Sequence, residues 1–260
     1  MSTWVFLRGL TRESRHWGDF IATFEATLPG ARVLTPDLPG NGRRRDLRSP
    51  LEVPALAASC RAQAALPPGT RTYLLGLSLG AMAAVAWAQQ HPHEVAGCVL
   101  INTSVRPFCP FYRRLRPTAY PLALRALCGG DEAMTERAVL RLTSRGVDGN
   151  GVPTAAVLPA WIAYRRDSPV ARANAVRQLI AAARFRAPPA PPACPVLVLA
   201  SAADRLVDVR CSRALALAWR ARYAEHPSAG HDLPLDDGPW VAQRVRDWVA
   251  ADPAAASAPG

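Results

Sequence analysis

The chain has 260 residues, half of them hydrophobic and one fifth charged, which suits a single sizeable domain or a domain carrying an insertion. It holds no run of about 18 uncharged apolar residues, so neither a membrane span nor a membrane partner is expected. The net charge of +11 invites a nucleic-acid reading, which its make-up argues against: every basic residue is an arginine, as a GC-rich coding bias gives, and one region holds most of the excess.

The opening, Met1 to Arg8, has no basic leader and no cleavage site, so cytoplasmic residence is expected. Trp4-Val5-Phe6-Leu7 reads instead as a first strand. Arg8-Gly9-Leu10 follows it, where the chain must turn. A helix is predicted over Trp17 to Thr27, a strand over Arg32 to Thr35, and a helix over Val53 to Ala65. A strand over Thr72 to Leu77 and a helix over Leu79 to Gln90 come next, then a strand over Val95 to Asn102. Near the end lie strands at Val196 to Ser201 and Arg222 to Glu225, with helices at Arg210 to Ala221 and Pro239 to Ala250. Continuous apolar strands alternating with helices predict a mostly parallel α/β sheet of about six strands, covered on both faces.

The alternation breaks between about Val105 and Pro192. Four helices are predicted there, Thr118 to Cys128, Asp131 to Arg145, Pro153 to Arg165 and Ser168 to Phe185, and the proline run Pro188 to Pro192 closes the stretch. The predicted division is therefore a core of residues 1–104 and 193–251, a helical insert of 105–192, and a frayed tail of 252–260. Between Arg106 and Arg186, 14 arginines face five acids, so the insert accounts for most of the net charge.

Gly76-Leu77-Ser78-Leu79-Gly80 is a G-x-S-x-G pentapeptide at a strand-to-helix turn, the context of a nucleophile elbow. Ser78 is the candidate nucleophile. Leu79, starting the helix, offers a backbone N–H to an oxyanion, and Leu10 is the candidate second donor. A serine hydroxyl needs a base to take its proton. His231, in the loop Ser228 to Asp232, is the candidate base, with His226 as its nearest rival. The acid belongs between them in chain order, at a strand end, which points to Asp204; Asp208 is the runner-up or a helix cap, and Asp37 and Asp232 are poorly placed. Six scattered cysteines, at 60, 98, 109, 128, 194 and 211, show no C-x-x-C pair, so neither a disulfide framework nor a zinc site is expected.

These residues resemble the α/β-hydrolase superfamily. The likeness rests on Gly76 to Gly80, Asp204-Arg205-Leu206-Val207, Gly230-His231 and the turn Asp37-Leu38-Pro39-Gly40-Asn41-Gly42, in the family's order and spanning nearly the whole chain. The smaller microbial carboxylesterases and thioesterases are most similar, including the type acting on acyl-carrier-protein methyl esters. The resemblance implies an acyl-enzyme hydrolase of carboxylic esters or thioesters with a Ser78, Asp204, His231 triad, no metal or organic cofactor, and the insert as a cap. The same fold also supports C–C bond hydrolysis, a lyase step or a non-catalytic binding role. One departure is Arg8-Gly9 where family members commonly carry His-Gly. Arg8 either holds the loop from Arg12 to His16 or meets a substrate carboxylate. Arg165 and Arg166, with the cluster at Arg113, Arg114 and Arg116, are candidate contacts for an acidic acyl carrier, against a plain solvated face.

Overall fold

The computed structural model describes residues 2–128, 130–146 and 154–251. The core strands are β1 (Ser2–Leu7), β2 (Ala31–Leu34), β3 (Thr72–Leu77), β4 (Val95–Ile101), β5 (Val196–Ser201) and β6 (Arg222–His226). In chain order the helices are α1 (Phe20–Thr27), α2 (Val53–Ala64), α3 (Leu79–Gln90), α4 (Phe111–Arg114), α5 (Tyr120–Cys128), α6 (Glu132–Thr143), α7 (Thr154–Asp167), α8 (Arg172–Arg184), α9 (Arg210–Trp219), α10 (Leu233–Asp236) and α11 (Gly238–Ala250). All six strands run parallel in the order β2-β1-β3-β4-β5-β6, the mostly parallel sheet the sequence predicts.

Alternation along the strands sends side chains to two cores. Trp4, Phe6, Leu75, Val99, Ile101 and Leu197 meet Phe20 and Phe24 of α1 and Val241 and Val245 of α11 on one face. Val5, Leu7, Leu74, Cys98, Leu100 and Val198 meet α2, α3 and Leu215 of α9 on the other. Aromatic edges lock the first core: the Trp4 and Phe24 rings lie 4.9 Å apart, as do Phe6 and Phe24. Helix α3 is buried from Leu79 to Ala88, and its alanines let the helix axis come close to the strands.

Several boundaries differ from the sequence reading, the largest at the starts of α1 and of α8, which begins at Arg172 rather than Ser168. Ser14–Trp17 forms a 3-10 turn that ends at Gly18, whose φ of 50° a helix cannot continue through, so α1 begins at Phe20 rather than Trp17. Strand β2 is displaced one residue toward the N-terminus. The expected tail, 252–260, and the predicted helix start at Pro153 lie outside the described residues.

Helices α4 to α8 lie between β4 and β5 in the chain. Buried polar contacts seat them on the core. Gln178 of α8 accepts from the Thr11 N–H at 2.9 Å and donates to Asn41 Oδ1 at 2.8 Å; Asn174 accepts from the Ser49 N–H at 2.9 Å. At the other end Arg12, after β1, donates to Glu136 of α6 at 2.6 Å, and Arg165 of α7 donates to the same carboxylate at 2.5 Å. The Arg12 guanidinium also lies 4.5 Å from the Trp161 ring centre. Burial, with Arg12 and Arg8 adding their charge, holds His16 well below the usual histidine range. Its Nε2 accepts from Arg12 Nη1 at 2.8 Å, and its Nδ1 lies 3.2 Å from both the backbone N and the carbonyl oxygen of Glu13.

Cysteine spacing alone argues against a disulfide, and here the structure corrects it. Cys109, early in the insert, is bonded to Cys211 of α9, 102 residues away. Cys60, Cys98 and Cys194 are buried free thiols.

Candidate active site

The strand order reverses between β1 and β3, and a parallel sheet opens a crevice at the C-terminal ends of its strands at such a point. Ser78 stands there, directly after β3, with φ 57° and ψ −114°. A positive φ is strained for serine and persists only where its surroundings hold it. Its N–H donates to the Ile101 carbonyl at 2.9 Å, and its own carbonyl accepts from the Met82 N–H at 3.2 Å and the Thr103 hydroxyl at 3.1 Å. The flanking glycines have no room for a side chain. A Cβ on Gly76 would stand 2.5 Å from the Ala81 backbone, and one on Gly80 would collide with the Leu7 carbonyl.

The start of α3 and the loop after β1 lie on either side of the serine. Leu79 is the first residue of α3, so its N–H has no partner within the helix. On the other side a Cβ on Gly9 would lie 3.5 Å from Ser78 Cβ. The loop after β1 therefore runs against the serine, with Leu10 next in line.

Asp204 and His231 meet although 27 residues apart. His231 Nδ1 is 2.7 Å from Asp204 Oδ2, and both side chains are buried. The other oxygen, Asp204 Oδ1, accepts from the Leu206 N–H at 2.7 Å and the Val207 N–H at 2.9 Å. A carboxylate with both oxygens engaged fixes the ring's tautomer: Nδ1 carries the proton and Nε2 remains an acceptor.

The loop bearing His231 is held from three sides. Asn102, at the end of β4 with φ 45°, donates from Nδ2 to the His231 carbonyl at 2.8 Å and the Gly230 carbonyl at 3.2 Å, while its Oδ1 accepts from the Ser201 N–H. From the insert, the Thr143 carbonyl accepts the Asp232 N–H at 2.7 Å, and Asp236 bridges the Gly230 N–H and the Arg145 N–H. From β1, Arg8 forks onto Asp232: Nη1 to Oδ1 at 3.2 Å and Nη2 to Oδ2 at 2.6 Å. Sequence reasoning does not single out Asn102, and it weighs Asp232 only as a poorly placed candidate acid. The one local signal for Asn102 is that it begins the polar run Asn102-Thr103-Ser104 after the buried Val99-Leu100-Ile101.

The remaining candidates fall elsewhere. Asp208 accepts from the Arg210 guanidinium and backbone N–H just before α9, and those bonds pull its carboxyl down to about 2. His226 faces Asp237 at 3.1 Å and accepts from the Ala229 N–H. Asp37 holds the Ser14 and Arg43 N–H groups. Arg8 is buried against Asp232 and Trp17 rather than holding the loop from Arg12 to His16. Arg165 is held by Glu136, whereas Arg166 is two-thirds exposed, with Glu132 at 3.8 Å. Arg114 donates to the Ala182 and Ala183 carbonyls at the end of α8, a favourable place for a cation.

Known proteins share this chain and its architecture. The chain is 30% identical over 226 residues to the pimeloyl-[acyl-carrier protein] methyl ester esterase of Aromatoleum aromaticum, covering 83% of this chain and 88% of that protein. The enol-lactonase of Burkholderia xenovorans superposes with a TM-score of 0.76 at 21% identity, over 96% of this chain and 91% of its own. A hydrolase of Pseudomonas aeruginosa gives 0.77 at 20%, over 96% and 90%. The model of the alpha/beta hydrolase family matches residues 4–244, a span that takes in all of the sheet but its first two residues and every residue of the site. The chain belongs to the alpha/beta hydrolase family.

Proposed function

We propose that this protein is a serine hydrolase of carboxylic esters or thioesters. The observation that carries the reading is the 2.7 Å bond from His231 Nδ1 to Asp204, supported by Ser78 at positive φ in the turn after β3. In this reading His231 Nε2 takes the hydroxyl proton as Ser78 Oγ attacks the carbonyl carbon. The Leu10 and Leu79 N–H groups stabilise the oxyanion. The imidazolium returns the proton to the leaving alcohol or thiol. Water, activated by the same imidazole, then attacks the acyl-enzyme and frees Ser78. Every step uses side chains and backbone of this chain.

Helices α4 to α8 serve as the cap in this reading. Their contacts to the Asp232 N–H and to Asp236 support it, because they join the insert to the loop that carries the base. An acyl chain delivered on an acidic carrier is the substrate class favoured by two observations together: the relative acts on a carrier-bound methyl ester, and the insert is rich in arginine. Arg166 is the cleaner probe of carrier contact, since Arg165 is tied to Glu136. Arg166→Glu should raise KM for a carrier-bound ester and leave a small ester untouched; equal kinetics on both would remove the carrier from the reading.

Hydrolysis of p-nitrophenyl esters from acetate to palmitate tests the reaction class, with Ser78→Ala as control. Turnover that the variant loses is expected, and the preferred chain length sizes the acyl pocket. Turnover retained by Ser78→Ala would overturn the reading.

A further inference from the structure

Arg8 and Asp232 are 224 residues apart in the chain, yet each has a side chain only 4% exposed and they share two hydrogen bonds. Their neighbours give the pair its interest. Arg8 is followed by Gly9 and Leu10, on the loop that runs against Ser78. Asp232 directly follows His231. The pair thus spans the site one step behind the groups that do the chemistry.

Stability alone is a weak reason for such a pair. Desolvating two charges costs about as much as their attraction returns, and a well-packed apolar pair of equal volume commonly does as well. Among the described residues, the buried Arg8 Nε moreover has no hydrogen-bond partner, a further cost. A guanidinium fork offers geometry instead: two parallel N–H···O bonds fix separation and orientation together, which a single ammonium contact does not. The Trp17 ring, 4.7 Å from the guanidinium carbon, sets the plane of the fork. Asn102, Asp236 and Thr143 hold the backbone of the base loop from β4, α10 and α6. Among the described residues, Arg8 is the hold that reaches this loop from β1.

We propose that Arg8 is a positioning residue: through Asp232 it clamps the loop of His231 to the loop of Leu10, and so fixes the base relative to the oxyanion site. The kinetic part rests on the serine-hydrolase reading above; the structural part does not. Arg8 and Asp232 then act as one unit. Removing either frees the base loop, and removing both costs no more than removing one.

The test compares wild type, Arg8→Met, Arg8→Lys, Asp232→Asn and the Arg8→Met, Asp232→Asn double variant. Steady-state kinetics on one p-nitrophenyl ester are read beside hydrogen–deuterium exchange of peptides covering 226–237 and 72–90. Arg8→Met should lower kcat about 100-fold, the loss expected of a displacement near 1 Å, with KM within about twofold. Arg8→Lys should recover part of it, and the double variant should match the singles. Exchange should quicken in 226–237 and stay unchanged in 72–90. A rise in KM at constant kcat would make Arg8 a substrate contact and overturn the proposal. So would additive losses in the double variant, or exchange that quickens equally in both peptides, the mark of a merely structural pair. If the wild type turns over no ester, the serine-hydrolase reading is what has failed. Exchange then decides the clamp: local quickening of 226–237 supports it and an unchanged loop overturns it. Arg8→Lys keeps the comparison valid should the methionine variant not fold.

Discussion

Asp204→Asn is expected to lower kcat by about 10⁴-fold while leaving the melting temperature nearly unchanged. The reason lies in what each carboxylate oxygen meets. Oδ1 accepts from two backbone N–H groups, of Leu206 and Val207. An asparagine must place its carbonyl oxygen there, because its NH2 would face two donors. The NH2 is then left opposite His231 Nδ1, where the carboxylate oxygen lies 2.7 Å away in the native site. A donor at that place selects the tautomer with the proton on Nε2, and such an imidazole cannot accept the serine proton. The carboxylate's support for the imidazolium is lost as well. Shape and packing are retained, so circular dichroism and melting should match the wild type. A kcat within tenfold of wild type would mean that Asp204 does not orient the base.

Glu136→Gln should cost about 3–5 kcal/mol of folding stability, read from urea denaturation midpoints. Glu136 is 1% exposed and accepts from Arg12, before the insert, and from Arg165 on α7. A neutral amide leaves two guanidinium groups without their counter-charge. Arg165 is 19% exposed and can turn partly to water, which favours the lower half of that range, whereas Arg12, at 7%, cannot and keeps the loss from falling below it. His16 offers no charge relief because it is neutral, held so by burial and by Arg12. It adds a pH dependence of its own. Its folded pKa is depressed, so the unfolded chain binds the extra proton, and stability falls as pH drops below the ordinary histidine value of about 6.5. A loss under about 1 kcal/mol in Glu136→Gln would show that the insert is seated by its apolar and amide contacts instead.

The local part of the site is legible in the sequence, and the long-range part is not. Gly76 to Gly80 reads correctly as a turn between strand and helix because the strain at Ser78 and the steric demand at both glycines are set within five residues. The parallel sheet is legible because β3, β4 and β5 are unbroken apolar runs. Asp204 and His231 are found by chain order and by their places after strands, although nothing local brings them to 2.7 Å. The partners of the arginines are beyond such reasoning. Arg8 offers the loop from Arg12 to His16 or a substrate carboxylate as partners until the fold brings Asp232 to it from 224 residues away. Glu136 and Cys109 are similar cases, each meeting a group more than 25 residues distant through tertiary packing alone. Asn102 reads as the polar end of a strand. Only the returning chain makes it a hold on the Gly230 and His231 carbonyls.

The measurement closest to the central claim is mass spectrometry of the protein after reaction with a fluorophosphonate, which forms a stable adduct only with a serine activated by a neighbouring base. The account predicts one adduct, mapped to Ser78, absent in Ser78→Ala and much slower to form in Asp204→Asn. No adduct on the folded protein, or an adduct on a serine other than Ser78, would contradict it.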